Sequence, residues 1–478
     1  MAGWGVGGKR MVSAGLAPAH VAGPATAAPT RSLLGWMMFD WAAQPLYTLV
    51  ITFLFAPYFA NAVMSDPISG QAWWGYAAAV AGVLIAVCSP VLGAIADSGS
   101  RRKPWIALFA LFIALGLAAL WIAVPKSGTT TILLVLAAYI AAVSAAEFAA
   151  VFSNAMMPTL VPHNQLGRLS GFGFAVGYAG GLVALIVMAG LVVTNPATGK
   201  TLMGLDPIIR LDTVMREGDR LVGPFAAAWF LLFVIPFFLF VPDIPTRAEK
   251  AAGGIGRALG ELRQTVRELP GNRDMLRFLI ARMIYADGLS AIFTFGGIYG
   301  AWVFGWQALA LGIFGIVLSL AGAIGAVIGG RLDDKLGAKR VLIGALLILI
   351  TAALGILSVD KSNVLFAVPV TPKAASSAPF SSPGEIVYLG FAILIGFVAA
   401  PLGAASRSLL ARLAPPEKMT QYFGLFAFSG KATAFAAPLA IAAVTQATGS
   451  QRIGVSVILG FIAIGLALLV AVREPRAG

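Results

Sequence analysis

The chain has 478 residues, of which 59% are hydrophobic and only 11% charged, and its mean hydropathy is +0.89. A soluble core of this length cannot hide so much apolar surface, which excludes a disordered chain, a collagen-like fibre and a disulfide scaffold and leaves an integral membrane protein. One cysteine, Cys88, and two histidines, His20 and His163, rule out an intrachain disulfide and argue against a thiolate or imidazole metal site; the net charge of +13 reads as basic loops beside a membrane rather than a nucleic-acid surface.

Taken in chain order, residues 1–32 carry Lys9 and Arg10 and then a Gly-, Ala- and Pro-rich stretch. Pro18, Pro24 and Pro29 break any apolar run there, so a disordered cytoplasmic tail is expected, with the first span acting as an uncleaved signal anchor. Runs long enough to cross a bilayer follow near 33–62, 74–96, 104–125, 129–158, 169–194 and 221–242. Six more lie near 276–304, 306–330, 338–359, 385–411, 420–446 and 453–472. The expected fold is therefore an all-α integral membrane protein of twelve transmembrane helices. Two six-helix bundles, 33–242 and 276–472, flank a polar cytoplasmic linker, 243–275, and residues 473–478 form a short C-terminal tail. Most of the 33 Lys and Arg residues fall inside if both termini are cytoplasmic, which sets that orientation at the cell (inner) membrane. Within the linker, Ile255, Leu259, Leu262, Val266 and Leu269 recur at helical spacing, with Arg257, Arg263 and Arg267 elsewhere. That pattern fits an amphipathic helix on the inner leaflet, or a solvated linker with a short helix. Segments 195–220 and 360–384 read as outer loops.

The two halves repeat each other. Without gaps, the segment from Ser153 and the segment from Ser406 superpose Ser153 on Ser406, Leu160 on Leu413 and Pro162 on Pro415. They also superpose Gly171 on Gly424 and Gly177 on Gly430, and both bridge the fourth and fifth spans of their halves. Repeated bundles related by a pseudo-two-fold are how many secondary transporters build a central site. A second repeat sits between spans two and three of each half: GRLDDKLGAKR from Gly330 to Arg340, and GAIADSGSRRK from Gly93 to Lys103. Gly337 can take a positive φ in a tight turn, the bases stay at the inner interface, and the carboxylate can accept from a neighbouring helix N-terminus.

The first of these segments resembles the cytoplasmic-loop signature of the major facilitator superfamily, matching it at Gly330, Asp334, Lys335, Gly337, Lys339 and Arg340. The N-half copy keeps Gly93, Asp97, Arg102 and Lys103, with Ser98 for the first base and Gly99 one place early. In that superfamily the loop latches the halves during alternating access, so the resemblance makes Asp97 and Asp334 gate residues; a plain positive-inside turn is the simpler reading. Three further stretches resemble the autophagy-related vacuolar effluxer branch of the superfamily. They are FDWAAQPLYTLVITFLFAPYF, RMIYADGLSAIFTFGGIYG and SRSLLARLAPPEKMTQYFGLFAFSGKATAFAAP. This resemblance implies a twelve-helix facilitator with amino acids as the substrate class.

Ionisable groups inside spans are costly unless paired or hydrated. Asp40 lies about 10 Å into the first span, with Gln44 one turn on and Tyr47 beside it. Asp287 sits in the corresponding helix of the second half near Arg282 and Tyr285, and Glu147 lies in the inner half of the fourth span. Asp40, Glu147 or Asp287 could carry a coupling proton; each could equally be a structural ion-pair partner. Lys431, about 15 Å deep in the eleventh span, has the neutral Tyr178 as repeat mate and is the candidate for a substrate carboxylate. A buried pair with Asp287 or Glu147 is the alternative for it. Arg282 is expected to pair with a carboxylate between helices, and Arg407 and Arg412 to belong to the inner gate. Gly173, Gly177 and Gly181 make a close-packing face, whereas Tyr178 stands where proton-coupled drug exporters carry proline. The reading is thus a secondary transporter of a small polar solute, with drug or metabolite efflux second. A sensor or scaffold is third and would predict an added signalling domain. No Gly-rich phosphate loop, metal cluster or Ser/His arrangement suggests an enzyme, no cofactor is expected, and the protein is read as a monomer.

Overall fold

A helix that crosses a bilayer must satisfy its own backbone groups over about 20 apolar residues. The computed structural model describes residues 24, 26–97, 101–195, 198–243, 255–306, 308–372 and 378–475. Among these, eleven helices are long and apolar enough to span. The N-terminal bundle is α1 (Thr30–Val63), α2 (Pro67–Asp97), α3 (Arg102–Ile122), α4 (Thr129–Thr159), α5 (His163–Val192) and α6 (Glu217–Phe240). A short helix, α7 (Ile255–Glu268), precedes the second bundle. That bundle holds α8 (Arg273–Phe304), α9 (Ala308–Leu336), α10 (Ala338–Leu357), α11 (Pro383–Leu413), α12 (Met419–Ser429), α13 (Ala436–Thr448) and α14 (Gln451–Val470). Of the expected N-terminal tail, residues 1–23 and 25 lie outside the described residues, and α1 already begins at Thr30. In the segment 360–384, read as a loop, Asn363–Val364 (β1) and Val368–Pro369 (β2) pair as a small antiparallel hairpin.

The eleventh span corrects the sequence reading. The run 420–446 is not one helix but α12 and α13, separated by a turn over Gly430–Phe435. Gly430 lowers the helical preference at the break, and Pro438 has no N–H to give the carbonyl of Ala434. Arg282 supplies what the end of α12 lacks, donating from Nη1 to Phe426 O at 2.6 Å and to Ser429 Oγ at 2.9 Å. The first span is irregular too: past Pro45 its turns widen, and Leu54 N–H reaches Leu49 O at 2.9 Å, five residues back.

The bundles meet at two crossings that follow the repeat. A Cβ on Gly93 would lie 2.5 Å from Thr420 O of α12, and one on Gly330 would lie 2.7 Å from Gly167 O of α5. Gly424 lies against Ser89 and Pro90 of α2 in the same way, and a Cβ on Gly171 would lie 2.5 Å from Ala326 O of α9. Only hydrogen fits at these four positions, so α2 packs on α12 and α5 on α9 with backbones in contact. On the face where α1 begins and α14 ends, called here the terminal face, α7 rests on α2. Its Thr265 is buried beside Gln421 and accepts from Lys418 Nζ at 2.9 Å.

Candidate functional site

A cavity of about 610 Å³ lies between α1, α5, α8 and α9 in the half of the protein away from the terminal face. Its size suits a small-molecule ligand. Gln44, Tyr47, Thr48, Tyr178, Thr294 and Ser319 give it polar groups, and Phe53, Phe293 and Phe314 are among its apolar walls. Of the substrate-binding candidates, Gln44, Tyr47 and Tyr178 line it; Asp40, Asp287 and Lys431 are not among its lining residues. The glycine face of α5 brings α1 this close: a Cβ on Gly177 would lie 3.3 Å from Asp40 Cβ, and one on Gly181 would overlap Gln44 and Thr48.

Tyr47 links the cavity to a charged cluster. Its hydroxyl donates to Glu147 Oε1 at 3.4 Å, and Lys431 Nζ stands 3.8 Å from the same oxygen. Lys431 sits on the turn between α12 and α13, so this cluster joins α1 and α4 of one half to the broken helix of the other. The lysine side chain is 37% exposed and the glutamate 24%, which leaves the pair loosely held.

A second cross-bundle cluster lies on the terminal-face side of the cavity. Arg407 Nη1 lies 3.3 Å from Asp40 Oδ2 and donates to Asn154 Oδ1 at 2.8 Å. Its Nε donates to Ser170 Oγ at 2.9 Å and its Nη2 to Ser170 O at 2.8 Å, while Trp36 and Phe174 stack on the guanidinium. Asp40 and Arg407, named separately from the sequence, are thus one pair. Arg282 departs from its expectation: no carboxylate lies within ion-pair distance among the described residues. It caps α12 and lies over the Phe426 ring at 3.4 Å instead. Asp287 is buried, 3% exposed, and joins neither cluster.

The terminal-face motifs act through carboxylates on helix N-termini. Gln421 N–H of α12 donates to Asp97 Oδ2 at 2.7 Å, and Arg168 N–H of α5 to Asp334 Oδ1 at 3.0 Å. Arg102 holds Asp97 at 3.3 Å and donates from Nε to Thr420 Oγ1 at 2.9 Å. Gly337 has φ of 91°, and α9 stays helical to Leu336, so the turn in that motif is confined to the glycine. Residues 98–100, with Ser98 and Gly99, lie outside the described residues. The ungapped motif alignment shifts by one residue at its end. Lys103 Nζ and Lys339 Nζ make the same bond, to Phe238 O and Val470 O, each at 2.8 Å. Lys335 is exposed, and Arg340 Nη1 reaches only its own Leu336 O at 3.5 Å.

Sequence reasoning missed several members of this face. Asp333, 1% exposed, accepts from Ser408 and pairs with Arg412 at 2.6 Å. Glu474 also pairs with Arg412, at 2.8 Å, and caps α10 by accepting from Ala338 N and Lys339 N. Asp243 caps α3 by accepting from Arg102 N and Lys103 N. The signal was available: one acid follows the last span of each half, Asp243 and Glu474.

Comparison with known proteins agrees with this architecture. The family model described as "Vacuole effluxer Atg22 like" matches residues 62–478. YxiO of Bacillus subtilis, an uncharacterized MFS-type transporter, is 25% identical over 457 residues, covering 94% of this chain and 96% of its own. Autophagy-related protein 22-1 of Neosartorya fischeri is 25% identical over 323 residues, 65% of this chain and 49% of the fungal protein. The chain therefore spans about half the length of that fungal relative. The crystal structure of the human organic anion transporter MFSD10 has a TM-score of 0.68 at 17% identity, covering 92% of this chain and 99% of that one. FucP in its outward conformation has a TM-score of 0.66 at 14% identity, with 93% and 99% covered. At such identities the likeness is one of fold.

Proposed function

Because this chain belongs to the Atg22-like vacuole effluxer family, a branch of the major facilitator transporters, it is a multi-pass membrane transporter, and we propose that it moves a small carboxylate-bearing solute, amino acids first, by alternating access. Both termini are taken as cytoplasmic in the cell membrane, and the bundles 33–242 and 276–472 as the bodies that rock about the site. The observation that carries the reading is Lys431 on the unwound turn, 3.8 Å from a glutamate it shares with Tyr47. A loosely paired ammonium inside a membrane can exchange its carboxylate for that of a substrate, and the freed glutamate can then take a proton. Tyr47 belongs to both the cavity and this cluster and so gives a solute entering from the distal side a route to the lysine. The mostly apolar walls of the cavity favour, as a second reading, export of a less polar metabolite or drug.

Reconstituted vesicles loaded with a panel of labelled amino acids test the first reading. At least one should be carried, and Lys431→Gln should weaken its apparent affinity by about tenfold or more, the order expected for a lost hydrogen bond to a charged group. If no amino acid is carried, and Lys431→Gln only lowers thermal stability with Glu147→Gln restoring it, the lysine is a structural partner and the substrate assignment is wrong.

A further inference from the structure

We propose that Asp287 and Thr433, at the break between α12 and α13, bind a sodium ion; its role as coupling ion rests on the transport reading above, but its binding does not. The carboxylates on the first helix of each bundle differ in one respect. Asp40 faces Arg407 at 3.3 Å. Asp287 has no cation within ion-pair distance among the described residues: the repeat that superposes Gly177 on Gly430 sets Asp40 against the first glycine and Arg282 against the second, so Arg282, not Asp287, stands in Asp40's place.

Asp287 is only 3% exposed. Its Oδ2 and the Oγ1 of Thr433 are both buried without a hydrogen-bond partner among the described residues, although the hydroxyl faces the carboxylate. Arg282, five residues earlier on the same helix, is engaged by Phe426 O, Ser429 Oγ and the Phe426 ring. A buried carboxylate oxygen without a hydrogen-bond partner carries a penalty that a bound cation removes.

The chemistry of the neighbouring groups selects the cation. A carboxylate, a hydroxyl and the carbonyls that a broken helix releases from its ladder are hard oxygen ligands, the set that alkali and alkaline-earth ions take. Pro438 withholds the N–H that the Ala434 carbonyl would otherwise receive, whereas the Phe428, Lys431 and Thr433 carbonyls keep hydrogen bonds within the turn. Beside the Arg282 guanidinium a monovalent ion adds less positive charge than a divalent one would. Broken helices next to an acidic side chain are also where transporters of other folds place sodium.

The purified full chain, equilibrated with radioactive sodium at alkaline pH, provides the test. Saturable binding near one ion per chain is expected, resisted by excess choline and only weakly competed by potassium. Asp287→Asn should abolish it, and Thr433→Val, which keeps the carboxylate, should weaken it about tenfold or more. A sodium-dependent rise in unfolding temperature should disappear in the same variants. Two results would overturn the assignment: no saturable sodium binding by folded wild-type protein, or binding that survives both substitutions. A pH-dependent but sodium-independent rise in unfolding temperature, lost in Asp287→Asn, would make the site one for a proton and the sodium assignment wrong. Amino-acid flux without any sodium binding would leave the transporter reading standing while removing the ion site; sodium binding without amino-acid flux would do the reverse.

Discussion

Arg407 shows how much one side chain can hold in a membrane interior. Its planar fork meets Asp40, Asn154, Ser170 Oγ and Ser170 O at once, and two aromatic rings cover its faces. Lysine could not reproduce this, because an ammonium presents a point charge and cannot fill a flat slot between Trp36 and Phe174. Arg407→Lys is therefore expected to lower the unfolding midpoint by the equivalent of about 2–4 kcal/mol, since a partly buried carboxylate and three other oxygens lose their partner together. Asp40→Asn should lower it less, because the guanidinium keeps Asn154 and Ser170. Thermal unfolding of the purified variants measures both. Equal, small shifts would show that the cluster adds little to holding the bundles together.

At the scale of helices, the backbones of the two bundles meet at four glycines, where α2 crosses α12 and α5 crosses α9. Gly171→Ala should destabilise the protein by about 1–3 kcal/mol, because the new Cβ meets the α9 backbone at Ala326. Gly344→Ala in α10, where no heavy atom lies within 4 Å, should be neutral or stabilising by up to about 1 kcal/mol. Unfolding midpoints for the pair decide the point, and similar losses in both would remove the packing argument. The spans other than 420–446 and the Gly171–Gly424 repeat were readable because hydropathy and a repeated glycine record burial along one chain. The break after Ser429 was not, although Gly430 and Pro438 were in plain view: a hydropathy run measures preference for lipid and is blind to whether the ladder inside it is continuous. The pairings were equally hidden. Asp40 and Arg407 are 367 residues apart, and only tertiary packing decides that they meet while Asp287 joins neither charged cluster.

Across the whole molecule, two carboxylate caps and one central cluster join the bundles on the terminal face, while the cavity lies in the distal half. That combination is the arrangement expected of a transporter open away from its termini. Asp97 and Asp334 occupy equivalent places, each set on the first turn of a helix from the opposite bundle. A carboxylate there interacts with the helix dipole and with a backbone N–H that has no helical partner, and each such contact is worth roughly 0.5–2 kcal/mol. Removing the charge at both should therefore weaken the closed terminal face by a few kcal/mol at most, enough to populate the alternative state without unfolding either bundle. Asn164 and Glu417 are exposed on that face, one in the first turn of α5 and one in the α11–α12 turn, so spin labels placed there in a Cys88→Ser background report its width. The unaltered gate should give a single short distance. Asp97→Asn with Asp334→Asn should add a longer component, which substrate then redistributes. Single variants should produce intermediate populations, because the latches act on the same equilibrium from opposite sides of the pseudo-two-fold. If the double variant keeps the short distance alone and solute flux is unchanged, the motif carboxylates only shape their turns, and closure of the terminal face must rest on Arg407 and the glycine crossings.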